Sequence, residues 1–247
     1  SIHSPCPEVL SSRGVPASRL SLSSLDASER VEAVSFTKKT IDLAANVSAR
    51  AIVLHMGEVP IDLSLQDRLY KLHYGGYTQT REYRQAKERL VHQRLSLAHS
   101  YVDGARKSLQ ELSKYSLQKG IMLGLETRFH FNEIPNMDEM AELLDEVSEH
   151  LAGYWHDVGH AEVQQQLGFS IHEEWLLRFR DRLVGIHLHD IRGISDHHAP
   201  GNGNMNWEMI AKYLPQGIVR VCEIGEWNDE EQMLGVVKFL QKKGILD

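Results

Sequence analysis

The sequence predicts an α/β fold of the (β/α)-barrel type, and three observations carry that reading. Short apolar runs alternate with longer amphipathic stretches along the whole chain. Each apolar run ends in a histidine or an acid. The length, 247 residues, suits one α/β barrel, a fold that takes about 250 residues as a single unit.

The elements can be justified in order. Residues 51 to 54, Ala-Ile-Val-Leu, read as a buried strand because the run is short, apolar and partly β-branched. Residues 121 to 125, 151 to 155, 183 to 188 and 218 to 221 read the same way, and residues 2 to 4 read as the end of another strand. Between them lie helical patterns. Asp26 and Glu29 have the spacing of a capping box ahead of Val31, Val34 and Ile41. Residues 79 to 118 lack proline and are rich in strong helix formers, which predicts one long helix or two. Asn136 caps a helix through Leu144, and residues 232 to 240 form the last helix. The Ser-rich stretch 18 to 24 is a strand-to-helix loop. No linker or composition shift divides the chain, so residues 1 to 247 read as one domain. Strand, helix, strand, helix implies a parallel sheet covered by helices. Six strands are visible, whereas a closed barrel has eight; the helical region 63 to 118 takes up the remaining length.

Composition excludes some functions. A net charge of -7 disfavours phosphate backbones, so nucleic acid is not the expected partner. Cys6 and Cys222 supply neither a disulfide framework nor a Cys-x-x-Cys zinc site, which points to a reducing, cytoplasmic compartment. No apolar run approaches the roughly 18 residues of a membrane span. The first five residues show no basic region followed by an apolar one, so no signal peptide is expected.

The chemistry sits at the strand ends. In order these carry His3, His55, Glu126, His156 with Asp157 and His160, His187 with His189 and Asp190, Asp196 with His197 and His198, and Glu223. A parallel barrel brings all such ends to one mouth, where barrel active sites lie. Converging His, Asp and Glu suit Zn²⁺, Mn²⁺ or a similar ion. Without a cation these charges would repel one another and be costly to bury. Each residue alone has a plainer use. Glu126 could pair with Arg128, Asp157 could cap a helix, and His197 and His198 could sit on a solvated loop. His187 and His189 lie two apart and share a strand face, which allows one to ligate while the other supports it. All strand ends being polar together is what favours a metal.

The ordered motifs are His3-Ser4-Pro5, Val53-Leu54-His55-Met56-Gly57, Leu125-Glu126-Thr127-Arg128, Asp157-Val158-Gly159-His160, His187-Leu188-His189-Asp190, Asp196-His197-His198 with Gly201-Asn202-Gly203, and Cys222-Glu223. Together they cover almost the whole chain. The set resembles the xylose isomerase-like superfamily, which includes sugar and sugar-phosphate isomerases and epimerases and the endonuclease IV group. The resemblance implies one central Zn²⁺ or Mn²⁺ held by Glu126, Asp157, His187 and Glu223. Up to three ions would be held if His3, His55, His160, Asp196 and His198 also ligate, as in endonuclease IV-like members. It matches His3 to the third barrel strand, which implies that the first two βα units are missing from this chain. The resulting open edge would need cover from rearranged helices, further residues or a second copy of the chain in a homo-oligomer.

Three functions follow as expectations. The first is an isomerase or epimerase acting on a small sugar, sugar phosphate or related polyol or keto compound. Glu126 and Glu223 would move the proton from opposite sides through an enediolate, and His160, His189, Arg128 and Arg192 would contact substrate. The second is a zinc-dependent phosphodiesterase cutting DNA at abasic sites, disfavoured by the acidic balance and by few basic residues in loops 56 to 62 and 190 to 206. The third is a non-catalytic metal-binding remnant.

Overall fold

The computed structural model describes residues 1–246. Six parallel strands form one sheet: β1 (Ile2–His3), β2 (Ala51–Leu54), β3 (Met122–Glu126), β4 (Ala152–Asp157), β5 (Leu183–Leu188) and β8 (Val219–Cys222), in that spatial order. Every strand pairs with its neighbour in sequence order except where a small antiparallel hairpin, β6 (Asp190–Arg192) and β7 (Ser195–His198), is inserted between β5 and β8. The architecture is the barrel type expected, as an open arc of six strands. The apolar runs predict β3 and β4 a little too early. Both strands continue through their acid, so Glu126 and Asp157 are the last residues of their strands.

Alternation along the strands makes two faces. Ile52, Leu54, Leu123, Leu125 and Tyr154 face outward and are buried under the helices. They pack with Ile41 and Ala44 of α1 (Ala27–Asn46), Leu109 and Leu112 of α3 (Arg81–Lys119), Leu143 of α4 (Met137–Asp145), and Trp175 and Phe179 of α6 (His172–Phe179). Each large side chain fully buried there contributes about 1.5–3 kcal/mol. The inner face carries Ala51 and Val53, Met122, Trp155, Val184, and Val219 and Val221. The columns Ala51-Val53-His55, Gly124-Glu126, Trp155-Asp157 and Val221-Glu223 therefore all end in a polar residue on the inner face at the same mouth.

Trp155 explains two glycines. A Cβ at Gly185 would lie 2.1 Å from the Trp155 ring, and one at Gly124 would lie 2.8 Å from it. The indole lies across the strands on both sides and forms the floor beneath the mouth; its ring is 5.1 Å from that of His187.

The helices differ from expectation in detail. Residues 63 to 118 form α2 (Leu63–Tyr74) and one unbroken 39-residue helix, α3, capped by Thr80 and ended by Gly120 at φ +68°. The Asp26 cap forms, accepting from the N–H groups of Ser28 and Glu29, but the box does not close. Glu29 instead accepts from Ser21 N and Ser24 Oγ, anchoring the preceding loop. At α4 the Asn136–Glu139 box is complete. The predicted last helix is two, α8 (Glu230–Leu234) and α9 (Val236–Lys242), split at Gly235. The remaining helices are α5 (Val158–Gln166) and α7 (Trp207–Tyr213). Among the described residues no helix is long and apolar enough to cross a membrane.

Candidate metal centre

Glu126 ends β3, Asp157 ends β4, His187 stands one residue before the end of β5, and Glu223 directly follows β8. Each offers one ligand atom, and these atoms all lie within 4.8 Å of one another. His187 Nδ1 is 2.7 Å from Glu126 Oε1, 2.8 Å from Glu223 Oε2 and 3.4 Å from Asp157 Oδ2. Glu126 and Asp157 are essentially inaccessible, and Glu223 is part-exposed on the mouth side.

The donor set fits a divalent cation. His187 Nδ1 and Glu126 Oε1 are buried without a hydrogen-bond partner, although they are 2.7 Å apart. Their approach fails the angular requirement of a hydrogen bond, so two buried polar atoms are left without a partner. Three carboxylates share this one imidazole. Burial pushes His187 down, but contacts with Asp157, Glu126 and Glu223 overcome it and push the ring up to about 12. Burial likewise opposes ionisation of Glu126 and Asp157. Contacts with His187, His3 and His55 hold Glu126 well below the carboxylate range, and His160, His189 and His187 do the same for Asp157. One imidazole and three ionised carboxylates are ligands suited to Zn²⁺ or Mn²⁺.

Asp157 combines its roles. Its Oδ1 accepts from His160 N at 2.7 Å, capping α5, and from His189 Nε2 at 3.0 Å. The backbone N–H of His197 donates to His189 Nδ1 at 2.9 Å, which fixes the His189 proton on Nε2, toward the carboxylate.

Two further groups of donors flank the centre. Beside it, His55 Nε2 is 2.7 Å and His3 Nε2 3.7 Å from Glu126 Oε2. Across the mouth, His160, Asp196 and His197 come together. His160 Nδ1 donates to Thr127 O at 2.9 Å, leaving Nε2 facing Asp196 Oδ2 at 3.6 Å. His197 Nδ1 is 3.1 Å from Asp196 Oδ1, and its ring stacks on His189 at 4.4 Å. Burial opposes protonation of His197, but Asp196 and Glu223 raise it to about 10.

The sequence profile of the xylose isomerase-like TIM barrel family matches residues 8–243. The chain belongs to this family. Its fold is similar to that of a D-tagatose 3-epimerase-like protein, with a TM-score of 0.64 and 18% identity over 92% of this chain and 73% of the other. It is similar to D-psicose 3-epimerase from Clostridium cellulolyticum H10, with a TM-score of 0.63 and 17% identity over 91% and 75%. The 3-keto-D-glucoside 4-epimerase of E. coli gives a TM-score of 0.60 and 13% identity over 90% and 75%. Such identities establish a shared fold. In sequence, 109 residues are 27% identical to an uncharacterised protein of Sinorhizobium fredii; the match covers 44% of this chain and about a third, 34%, of that protein.

Within the family barrel, some candidate residues stand elsewhere than the sequence suggests. His198 does not join the His160 and Asp196 group: its Nε2 faces Ser195 Oγ at 3.2 Å, while His197, at φ +57°, turns inward in its place. His198 sits opposite Asp190 in the hairpin register. His189 is wholly buried, with its Nε2 turned to Asp157 at 3.0 Å. Arg128 is buried between Glu126 and Glu133 rather than open to an anion. Arg192 is exposed and donates to Asn202 O at 2.7 Å. Sequence reasoning missed Glu133, five residues after Arg128 on an irregular loop. It also missed the role of Asp190, which accepts from Gly201 N, Met205 N and Trp207 Nε1 and so organises the loop after the hairpin. The Gly201-Asn202-Gly203 signal marks that loop: a Cβ at Gly203 would lie 2.4 Å from Asp190 Oδ1.

Proposed function

We propose that this chain is a divalent-metal-dependent isomerase or epimerase. It acts on a small sugar, sugar phosphate or related polyol or keto compound by proton transfer through an enediolate. The observation that carries this is the convergence of Glu126 from β3 and Glu223 from the end of β8, 2.7 and 2.8 Å from the same His187 nitrogen. A bound cation supplies charge stabilisation for adjacent carbonyl and hydroxyl oxygens. Glu126, Asp157, His187 and Glu223 hold it. One glutamate removes the proton from the hydroxyl-bearing carbon next to the carbonyl, and the other returns a proton to the enediolate. His160 keeps Nε2 toward the mouth because Nδ1 is committed to Thr127 O, so it can take a substrate oxygen. Trp155 is fully buried beneath the site, its ring 5.1 Å from that of His187. Two of the similar structures are named as sugar epimerases, which supports this reading.

The test is solvent exchange. The chain, loaded with Mn²⁺ or Zn²⁺, is incubated in D₂O with D-tagatose, D-psicose, D-fructose and a wider ketose and ketose-phosphate panel, and deuterium incorporation is followed by NMR. The expected result is exchange at one carbon next to the carbonyl, lost in Glu126→Gln and in Glu223→Gln, because a carboxamide is no base at neutral pH. Turnover near the wild-type level in either variant refutes the two-carboxylate mechanism.

The filled groups beside Glu126 and around Asp196 favour a second reading, a multinuclear zinc phosphodiesterase. It predicts metal-dependent nicking of an abasic duplex. The net charge of -7 offers little counterion release, so no duplex binding is expected at physiological salt.

A further inference from the structure

Glu126 has two oxygens with different surroundings. Oε1 faces His187 and the centre described above. Oε2 is the oxygen that an ion beside His3 and His55 would need. It already takes a short hydrogen bond from Arg128 Nη1 and stands 2.7 Å from His55 Nε2. The Arg128 bond fills one of that oxygen's two lone-pair sites, and the His55 ring crowds the other. An ion held there by His3, His55 and Oε2 would stand beside a guanidinium.

The guanidinium is itself fixed. Arg128 is 9% exposed, and its Nε and Nη2 donate to Glu133 Oε1 at 3.1 and 2.6 Å. Glu133 Oε2 accepts from His130 N at 2.7 Å, which holds the far side of the clamp. Arg128 cannot be deprotonated at any working pH. A permanent positive charge therefore stands against Oε2 of Glu126, and Oε1 is the oxygen turned to the metal centre. His3 and His55 are 38% and 41% exposed, and both line a hollow of about 240 Å³ together with Ser4, Pro5 and Ser18.

We propose that Arg128 is a built-in cation that confines Glu126 to a single metal position, so that His3 and His55 stay on the hollow beside β1 and β2 instead of ligating a second ion. This rests on the metal-centre reading above. Arg128 acts through Glu126 and is a positioning residue.

The test counts metal. The full chain is stripped with chelator, reloaded with Mn²⁺ or Zn²⁺, and assayed by elemental analysis and titration calorimetry, without reference to activity. The double variant His3→Asn with His55→Asn is expected to bind as many ions per chain as the wild type. Arg128→Met is expected to gain one ion, and to lose that gain when combined with the two histidine changes. A wild type that loses one ion in the histidine double variant overturns the proposal. So does a folded Arg128→Met protein with an unchanged count. If Arg128→Met fails to fold, the histidine variant decides alone, since its changes are on part-exposed side chains. A wild type that binds no ion removes the metal-centre reading itself, and this inference with it.

Discussion

His189 offers a quantitative check on how the centre is supported. The sequence places it beside the substrate, whereas the structure puts its Nε2 on Asp157 at 3.0 Å and its Nδ1 under the His197 amide at 2.9 Å. Replacing it, as in His189→Leu, removes the group that orients Asp157 while leaving all four proposed ligands. Loss of such an outer partner lowers metal affinity about 10–100-fold. That is about 1.4–2.7 kcal/mol. With free metal well above the Kd of both proteins, the stabilisation that metal confers falls by the same amount. For a chain of 247 residues, about 2–4 °C per kcal/mol, the metal-induced rise in Tm should shrink by roughly 3–11 °C. The assay is thermal unfolding with and without Mn²⁺, wild type against variant. Packing losses in the variant lower both curves and cancel in the difference. An unchanged metal-induced rise, together with a raised KM for an identified substrate, would show that His189 contacts substrate and would refute the reasoning.

Two other outcomes are expected. Arg94 is fully buried and doubly paired with Glu139 at 2.7 Å, with Nη2 also donating to Glu133 O; Arg94→Met strands the Glu139 carboxylate and should cost about 3–5 kcal/mol in urea unfolding. His156 is driven well below its usual range by burial first and by His172 second, so it stays neutral when folded and protonates on unfolding below about pH 6.5. The unfolded state then binds the extra proton, so stability falls as pH drops below 6.5, with a slope from this residue of up to about 1.4 kcal/mol per unit. His156→Gln should flatten the profile between pH 5 and 6.5 relative to the wild type; parallel profiles would contradict this.

The fold was legible because the strand signal is local. Runs such as Ala51-Ile52-Val53-Leu54 and Leu183 to Leu188 are buried on both faces, so their apolar character is continuous and bounded. The strand-end acids and histidines were legible for the same reason: topology brings their mouths together whatever the loops do. Choices set by loop conformation were not. Adjacent His197 and His198 are chemically identical in sequence, and only the left-handed backbone at His197 decides which one turns inward. Glu29 has capping-box spacing, yet the Ser21 amide and the Ser24 hydroxyl compete for its carboxylate. Arg128 reads as an anion binder until Glu133, brought round by the following loop, is seen to hold it. Gly235 breaks the last helix at a residue that periodicity alone tolerates.

The central claim is that Glu126, Asp157, His187 and Glu223 together hold one divalent cation. Anomalous diffraction from crystals of the full chain grown with Mn²⁺ tests it most directly. The account predicts a peak bonded by one atom from each of these four side chains at about 2.0–2.5 Å. A peak held by other residues, or full loading with these four side chains turned apart, would contradict it.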